Sequence, residues 1–564
     1  MIDLTLHADQ ETGERIRRAR TIENDSAGDV AYESIADMLE ARTRVHPHKL
    51  WMIFHGDDET RTQYSYEEFL RLVRKTADLL YDRGIRRGDR IATMAMNHAD
   101  TVVQYFAAWY IGAVVVPINV GEDDTRISFI LHDTDVKLIF VRTQFVKRLE
   151  TLRNSLPHGT MIIETGIPTT GKYEAYYDLL RTCSYEFIPD VAPTLEDDAL
   201  IVYTSGTTGA PKGIVLSQYN LLVDAKGIGA WHRIDDRHRM MCVLPIHHVN
   251  GTVVTLLTPM YYGGSVVLNQ KFHTEKFFAL IAKEKVHVVS VVPTLLQYLL
   301  HEKVDHRQYD LSHFRHVICG AGPLTCELAG KFEATFGIPV MHGYGLSETT
   351  CYSCFLPVDL SVDEHASWLL DHGFPSIGVA IPQNEMDIQS EKGESLQEGE
   401  RGEIVIRGYN VMKYYYKNPD ANRSTFAFDW FRSGDEGFIK TDALGRKFFF
   451  ITGRIKELII RGGVNIAPLE IDEVLNSCPG VKTGIAVGFE NDWYGEEVGA
   501  LVSVVDGTLT EEAVIEHCRK SLPFSKSPKV VLFSDEIPVT STGKYQRNRV
   551  KELFVEWKGV QFKG

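Results

Sequence analysis

The sequence predicts an α/β protein with a large, multi-layer N-terminal domain rich in parallel sheet, a small antiparallel or barrel-like β unit, and a small α+β C-terminal domain. Three observations carry this expectation. Helical and strand-like hydrophobic periods alternate through the first half of the chain, a pattern that packs helices onto largely parallel sheets. After about Gly378 the pattern gives way to short Gly-bounded β-like runs. Beyond Ile455 helix and strand periods return.

Residues 66–83 place apolar side chains at helical spacing and stop before Gly84. Residues 90–94 read as a short buried strand, 101–110 as a helix and 113–116 as the next strand. Strand-like runs recur at 136–141, 241–244, 265–268, 286–292 and 316–319. The Gly-bounded runs lie at 402–408, 437–440 and 447–451, and helix and strand patterns return at 469–477, 483–487, 498–505 and 511–521. At 564 residues the chain exceeds one compact core. The boundary is placed near 454–456, giving domains 1–455 and 456–564; the alternative is one continuous domain with a long tail.

Composition excludes some classes of function. Hydrophobic residues make up 44% and charged residues 24%, which are ordinary globular values. A net charge of -16 argues against extended binding to nucleic acid or to an anionic membrane. The start of the sequence is charged throughout and carries no apolar signal core, the end matches no address signal, and no apolar run is long enough to span a bilayer. Eight scattered cysteines then read as reduced thiols, and a cytoplasmic location is expected. Cys351 and Cys354 form a lone CxxC without a second pair or histidines at ligand spacing, so it reads as coincidence rather than a zinc site.

The chemistry is announced by one loop. The strand-like run 199–203 is followed by Thr204, Ser205, Gly206, Thr207, Thr208, Gly209, Ala210, Pro211 and Lys212. Glycines let a backbone approach a polyphosphate and turn its N–H groups inward, hydroxyls add donors, and Lys212 adds charge. The P-loop spacing is not met. Further on, Gly320, Ala321 and Gly322 follow a strand end, where a flat ring can lie against backbone. Gly343-Tyr344-Gly345-Leu346-Ser347-Glu348 begins like a dinucleotide fingerprint but has Glu348 at the third Gly position, so a Rossmann reading fails. Asp435, in Ser433-Gly434-Asp435, can accept from two ribose hydroxyls at once.

The loop resembles the signature of the adenylate-forming superfamily: acyl- and aryl-CoA ligases, non-ribosomal adenylation domains and firefly-type luciferases. The resemblance runs from about Tyr64 to Arg549, and its pattern is nearest to the acyl-CoA synthetases. It implies that 204–212 binds ATP phosphates and that Gly320, Ala321 and Gly322 wall the adenine. Tyr344 would stack on adenine, Ser347 would bond the α-phosphate, and Glu348 would hold Mg²⁺. Asp435 would take the ribose, with Arg454 on ribose or phosphate. Lys544, in Thr542-Gly543-Lys544, would be the catalytic lysine of a mobile C-terminal domain that turns about a hinge at Lys456. Gly462 and Gly463 would line the tunnel for the pantetheine arm of coenzyme A.

His248, in Pro245-Ile246-His247-His248, would gate the carboxylate site, and His247 stands where the family usually has an aromatic residue. No Asp accompanies this segment to hold an α-amino group, so an amino acid is disfavoured. The implied activity is ATP-dependent conversion of a carboxylic acid to an acyl-adenylate, then transfer to CoA. Fatty acid metabolism is the expected setting, although nothing in the sequence fixes chain length or aromaticity. The alternative acceptor is a phosphopantetheine arm on an acyl carrier protein. A silent nucleotide-binding protein is opposed by the presence of Glu348, Asp435 and Lys544.

Overall fold

The computed structural model describes residues 7–168, 171–204, 211–302, 304–505, 507, 509–540 and 544–562. They build three sheets. The largest has thirteen strands. Its middle is parallel: Val340–Tyr344, His316–Cys319, Val288–Val291, Arg239–Cys242, Ser265–Asn269 and Leu50–His55 lie side by side in that order. An eight-stranded sheet has a parallel centre of Asp198–Tyr203, Val114–Ile118, Arg90–Met94, Leu138–Arg142 and Met161–Thr165. The parallel strands are buried almost throughout, which explains why they read as continuous apolar runs.

Local chemistry sets the element ends. The helix Tyr66–Asp82 starts at a Ser65–Glu68 capping box and stops before Gly84, whose φ is 76°. The strand expected at 286–292 is shorter, Val288–Val291, because Pro293 opens the helix Pro293–His301.

The antiparallel strands expected after Gly378 are Ser376–Ala380, Asn384–Gln389, Gly402–Gly408, Phe431–Thr441 and Lys447–Arg454. They continue the order of the thirteen-stranded sheet through Cys354–Phe355 instead of forming a detached layer. The strand Phe431–Thr441 outruns the Gly-bounded run at 437–440, because Asp435 already pairs in register with Arg454.

The third sheet begins at Ile459. Val464–Ile466, Ile459–Arg461, Gly495–Val504 and Val481–Asn491 pair antiparallel, and Val530–Phe533 adds in parallel. The helices Pro468–Ser477 and Glu511–Ser521 cover one apolar cluster, which includes Ile471, Leu475, Val514 and Cys518. A second cluster packs Phe489 on Phe554. All eight cysteines are free thiols. Among the described residues no helix is long and apolar enough to cross a membrane.

Candidate functional site

Four neighbouring parallel strands of the large sheet deliver their carboxyl ends to one place, where open α/β sheets bind ligands. Val340–Tyr344 runs into Gly345 and the turn Ser347–Thr349, which carries Glu348. Its neighbour His316–Cys319 runs into Gly320, Ala321 and Gly322. Next come Val288–Val291, leading into Pro293, and Arg239–Cys242, leading to His247 and His248. Motifs scattered over a hundred residues therefore meet because their strands are adjacent. Gly345 is obligatory: a Cβ there would stand 2.0 Å from the Cys351 carbonyl oxygen.

Tyr344 is buried, and its hydroxyl donates to Asp435 Oδ2 at 2.6 Å. Burial and then the Asp435 charge push the Tyr344 pKa well up, so the phenol stays protonated and holds the carboxylate. Asp435 Oδ1 is buried without a hydrogen bond among the described residues, and Arg454 Nε stands 3.4 Å from it. One oxygen is fixed, and the other lacks a hydrogen-bond donor beside the Arg454 guanidinium. The Asp435 charge raises the Arg454 pKa further.

Glu348 Oε1 accepts from the Tyr415 hydroxyl at 2.8 Å, and its carbonyl accepts from Met412 N at 2.7 Å. The ammonium of Lys212 lies 4.8 Å from the Tyr415 ring centre. Burial lowers the Lys212 pKa, against the pull of Glu348. Tyr415 reaches this point because Tyr414–Tyr415 pairs with Gly213–Ser217, the strand that Lys212 opens. Sequence reasoning missed Tyr415; the run of three tyrosines, 414–416, was its only signal, and nothing in spacing ties it to Glu348.

The hairpin between Asp198–Tyr203 and Gly213–Ser217 is closed by Thr204 N donating to the Lys212 carbonyl at 3.2 Å. Ser205, Gly206, Thr207, Thr208 and Gly209, expected to cradle phosphate, lie outside the described residues.

Lys544 comes from the other end of the chain into the same cleft. Its surroundings lower its pKa, through burial first and then the Arg454 charge, while Asp435, Glu348 and Glu457 oppose the shift. Crowding by neighbouring atoms, not loss of all solvent contact, is the burial at work, because the residue stays exposed. His248 feels the Lys544 charge. Burial, then His247 and Lys544, push the His248 pKa well down, which leaves a neutral imidazole. Neither His247 Nε2 nor His248 Nε2 has a hydrogen-bond partner among the described residues. Gly462 and Gly463 are elsewhere, at the exposed tip of the hairpin joining Ile459–Arg461 to Val464–Ile466.

A cleft with cations at 212, 454 and 544, an unmatched ribose-type acceptor and one carboxylate suits a nucleotide triphosphate beside a second anion. Comparison with known proteins gives the family. The model of the AMP-binding enzyme family matches residues 39–416, and that of the AMP-binding enzyme C-terminal domain matches 470–544. The chain belongs to the AMP-binding enzymes.

This AMP-binding enzyme is 33% identical over 493 residues to the oxalate–CoA ligase of Arabidopsis thaliana, covering 86% of the chain and 92% of that protein. It is 29% identical to the long-chain-fatty-acid–CoA ligase FadD13 of Mycobacterium tuberculosis, covering 93% and 99%. The structure of ATP-bound MatB from Rhodopseudomonas palustris superposes with a TM-score of 0.81 at 27% identity, over 92% of this chain and 99% of that one. This AMP-binding enzyme is accordingly an acid–thiol ligase, which activates a carboxylic acid with ATP as an adenylate and transfers the acyl group to CoA.

Proposed function

We propose that the ligase divides its reaction between two arrangements of residues 1–455 and 456–564, and that the adenylate-forming one is seen here. One observation carries this reading: the charges of Asp435 and Glu348 are felt at Lys544 and the Lys544 charge is felt at His248, while the Gly462–Gly463 tip remains exposed. In the first half-reaction an oxygen of the substrate carboxylate attacks the α-phosphorus, and the bond to pyrophosphate breaks. The Lys544 ammonium offsets the charge that builds there. Asp435 and Arg454 hold the ribose, Gly320, Ala321 and Gly322 wall the adenine beside Tyr344, and Ser347, Thr204 and Lys212 meet phosphate. Neutral His248 orients the acid. In the second half-reaction the thiol attacks the acyl carbon and AMP leaves, with the Gly462–Gly463 hairpin beside the pantetheine arm.

Mg²⁺ fits this donor set. Mg²⁺ is commonly held by one carboxylate with phosphate oxygens and water, and Glu348 has a second oxygen, Oε2, besides the one that takes the Tyr415 hydroxyl. Glu348 would hold it, and the ion would neutralise phosphate charge. Free thiols support a cytoplasmic setting.

The test is a panel of acids with ATP, scored for pyrophosphate and then for thioester with CoA or with a phosphopantetheinylated carrier protein. Pyrophosphate without AMP-linked acid would remove this reading, and a thioester formed only on the carrier would change the acceptor.

A further inference from the structure

Close after His248 in sequence, buried side chains join in a closed polar cluster. Asn250, two residues beyond His248, opens the π-helical segment Asn250–Leu257, in which every residue is buried. Such widened turns are frequent at functional sites. Asn250 Oδ1 accepts from Ser290 Oγ at 2.7 Å, and its Nδ2 donates to the Tyr352 hydroxyl at 3.3 Å. Tyr352 lies four residues after Glu348 and is 1% exposed. It fills the space in front of the Gly320 wall: a Cβ at Gly320 would meet the Tyr352 hydroxyl at 2.6 Å and its ring at 2.8 Å.

The tyrosine is held from behind. Its N–H donates to Asp224 Oδ2 at 3.4 Å, its carbonyl accepts from Asn410 Nδ2 at 2.9 Å, and its ring lies 4.4 Å from that of Phe355. The segment that follows His248 is therefore backed by a hydroxyl and an amide bonded to each other. On the flank, the His247 ring is 4.6 Å from His248, and burial pushes its pKa down to about 4. It is a neutral imidazole whose Nε2 finds no partner among the described residues. Buried polar groups left unmatched disfavour an alkyl chain and favour a ligand that completes their hydrogen bonds.

We propose that this ligase takes a short acid bearing a second oxygen-containing group, and that His247, Asn250 and Tyr352 set that specificity. The proposal rests on the ligase reading and replaces a fatty acid with a small polar one. Tyr352 stands in the way of a long chain, and a short apolar acid leaves the unmatched His247 Nε2 facing hydrocarbon.

The test ranks oxalate, malonate, lactate, butyrate, octanoate and palmitate by kcat/KM for pyrophosphate release. The best polar acid is expected to exceed octanoate by about a hundredfold or more. Tyr352→Ala opens the cluster and is expected to narrow that ratio by about tenfold or more. Tyr352→Phe keeps the ring, so octanoate stays excluded while the polar acids lose rate. The wild-type ranking alone decides the substrate class should Tyr352→Ala misfold. Preference of the wild type for octanoate or palmitate overturns the proposal and leaves the ligase reading standing. An unchanged ratio in a folded Tyr352→Ala removes Tyr352 from the specificity set, and release with no acid at all overturns proposal and ligase reading together.

Discussion

The Glu473 carboxylate accepts the backbone N–H of Cys326 with both oxygens, at 2.9 and 3.1 Å. Glu473 lies on the helix Pro468–Ser477, and Cys326 opens the helix Cys326–Phe336 of the large sheet's layer. The C-terminal part thus docks an acidic side chain on the positive end of an N-terminal helix. Burial pushes the Glu473 pKa up to about 8; Cys326 N–H opposes this, and Asp472 and Glu327 reinforce it. Asp472 is itself paired with Arg547.

This contact makes docking sensitive to pH. Undocked, Glu473 returns toward its ordinary pKa of 4.5, so docking takes up a proton between that value and about 8. The pKa is raised on docking, so the docked arrangement is favoured fully below the lower value and loses favour as pH climbs toward the upper one. The slope is at most about tenfold per pH unit. Spin labels across the interface should report less docked protein at pH 8.5 than at pH 6.5 (about those values). Glu473→Gln should flatten the response, and a retained slope in that variant would assign it to another group.

Lys544→Ala should slow adenylate formation by about a hundredfold or more, because an ammonium is removed from where charge develops. Thioester formation from a supplied acyl-adenylate should change little. Pyrophosphate exchange and single-turnover thioester formation, measured on one preparation, separate the two. Comparable loss in both would mean that Lys544 serves more than the first step.

Gly463→Leu tests the hairpin. Gly462 and Gly463 have φ of 57° and 82°, as a two-residue turn joining strands requires, and a Cβ at Gly463 meets nothing within 4 Å. The substitution therefore strains the turn by about 1–2 kcal/mol without clashing in this arrangement. Pyrophosphate release should hold within about twofold, while acyl-CoA formation falls by about tenfold or more as the side chain fills the thiol path. Parallel loss of both activities, with the fold intact by circular dichroism, would remove the hairpin from the thiol path.

Much of this was legible in sequence because it is local. The helix over 66–82, the strand at 90–94 and the Gly-rich strand ends follow from periodicity, caps and turns. Lys544, Glu348 and Asp435 were legible through motif order alone; Glu348 meets the Gly320–Gly322 turn through strand adjacency, Asp435 is tied in through the Tyr344 hydroxyl, and Lys544 arrives from the C-terminal part, none of which spacing encodes. Tyr415 and Tyr352 escaped notice for that reason. Each acts through a partner 67 or 102 residues away, Glu348 and Asn250 respectively. Glu473 reads as one more acidic residue on a helix face until the other domain is set against it.

The hinge is the last test. Lys544 occupies the cleft in the arrangement seen, and the Gly462–Gly463 tip is exposed, yet both lie beyond Lys456. One rotation there can exchange them. Lys456 sits in a single 3-10 turn, Ile455–Glu457, directly after the strand Lys447–Arg454, and its side chain is exposed. The turn is closed by Leu458 N donating to the Arg454 carbonyl at 3.1 Å, a link that a rotation must break. A residue that absorbs a large φ/ψ change tolerates Pro poorly, because the ring fixes φ near a helical value. That value suits the turn as it stands, so Lys456→Pro should keep the docked arrangement. Adenylation should persist within about tenfold and thioester formation should fall further than that. Pyrophosphate exchange and acyl-CoA yield on the same folded protein give the answer. Near-wild-type rates in both assays would place the hinge at another residue, or show that the second half-reaction needs no large rotation.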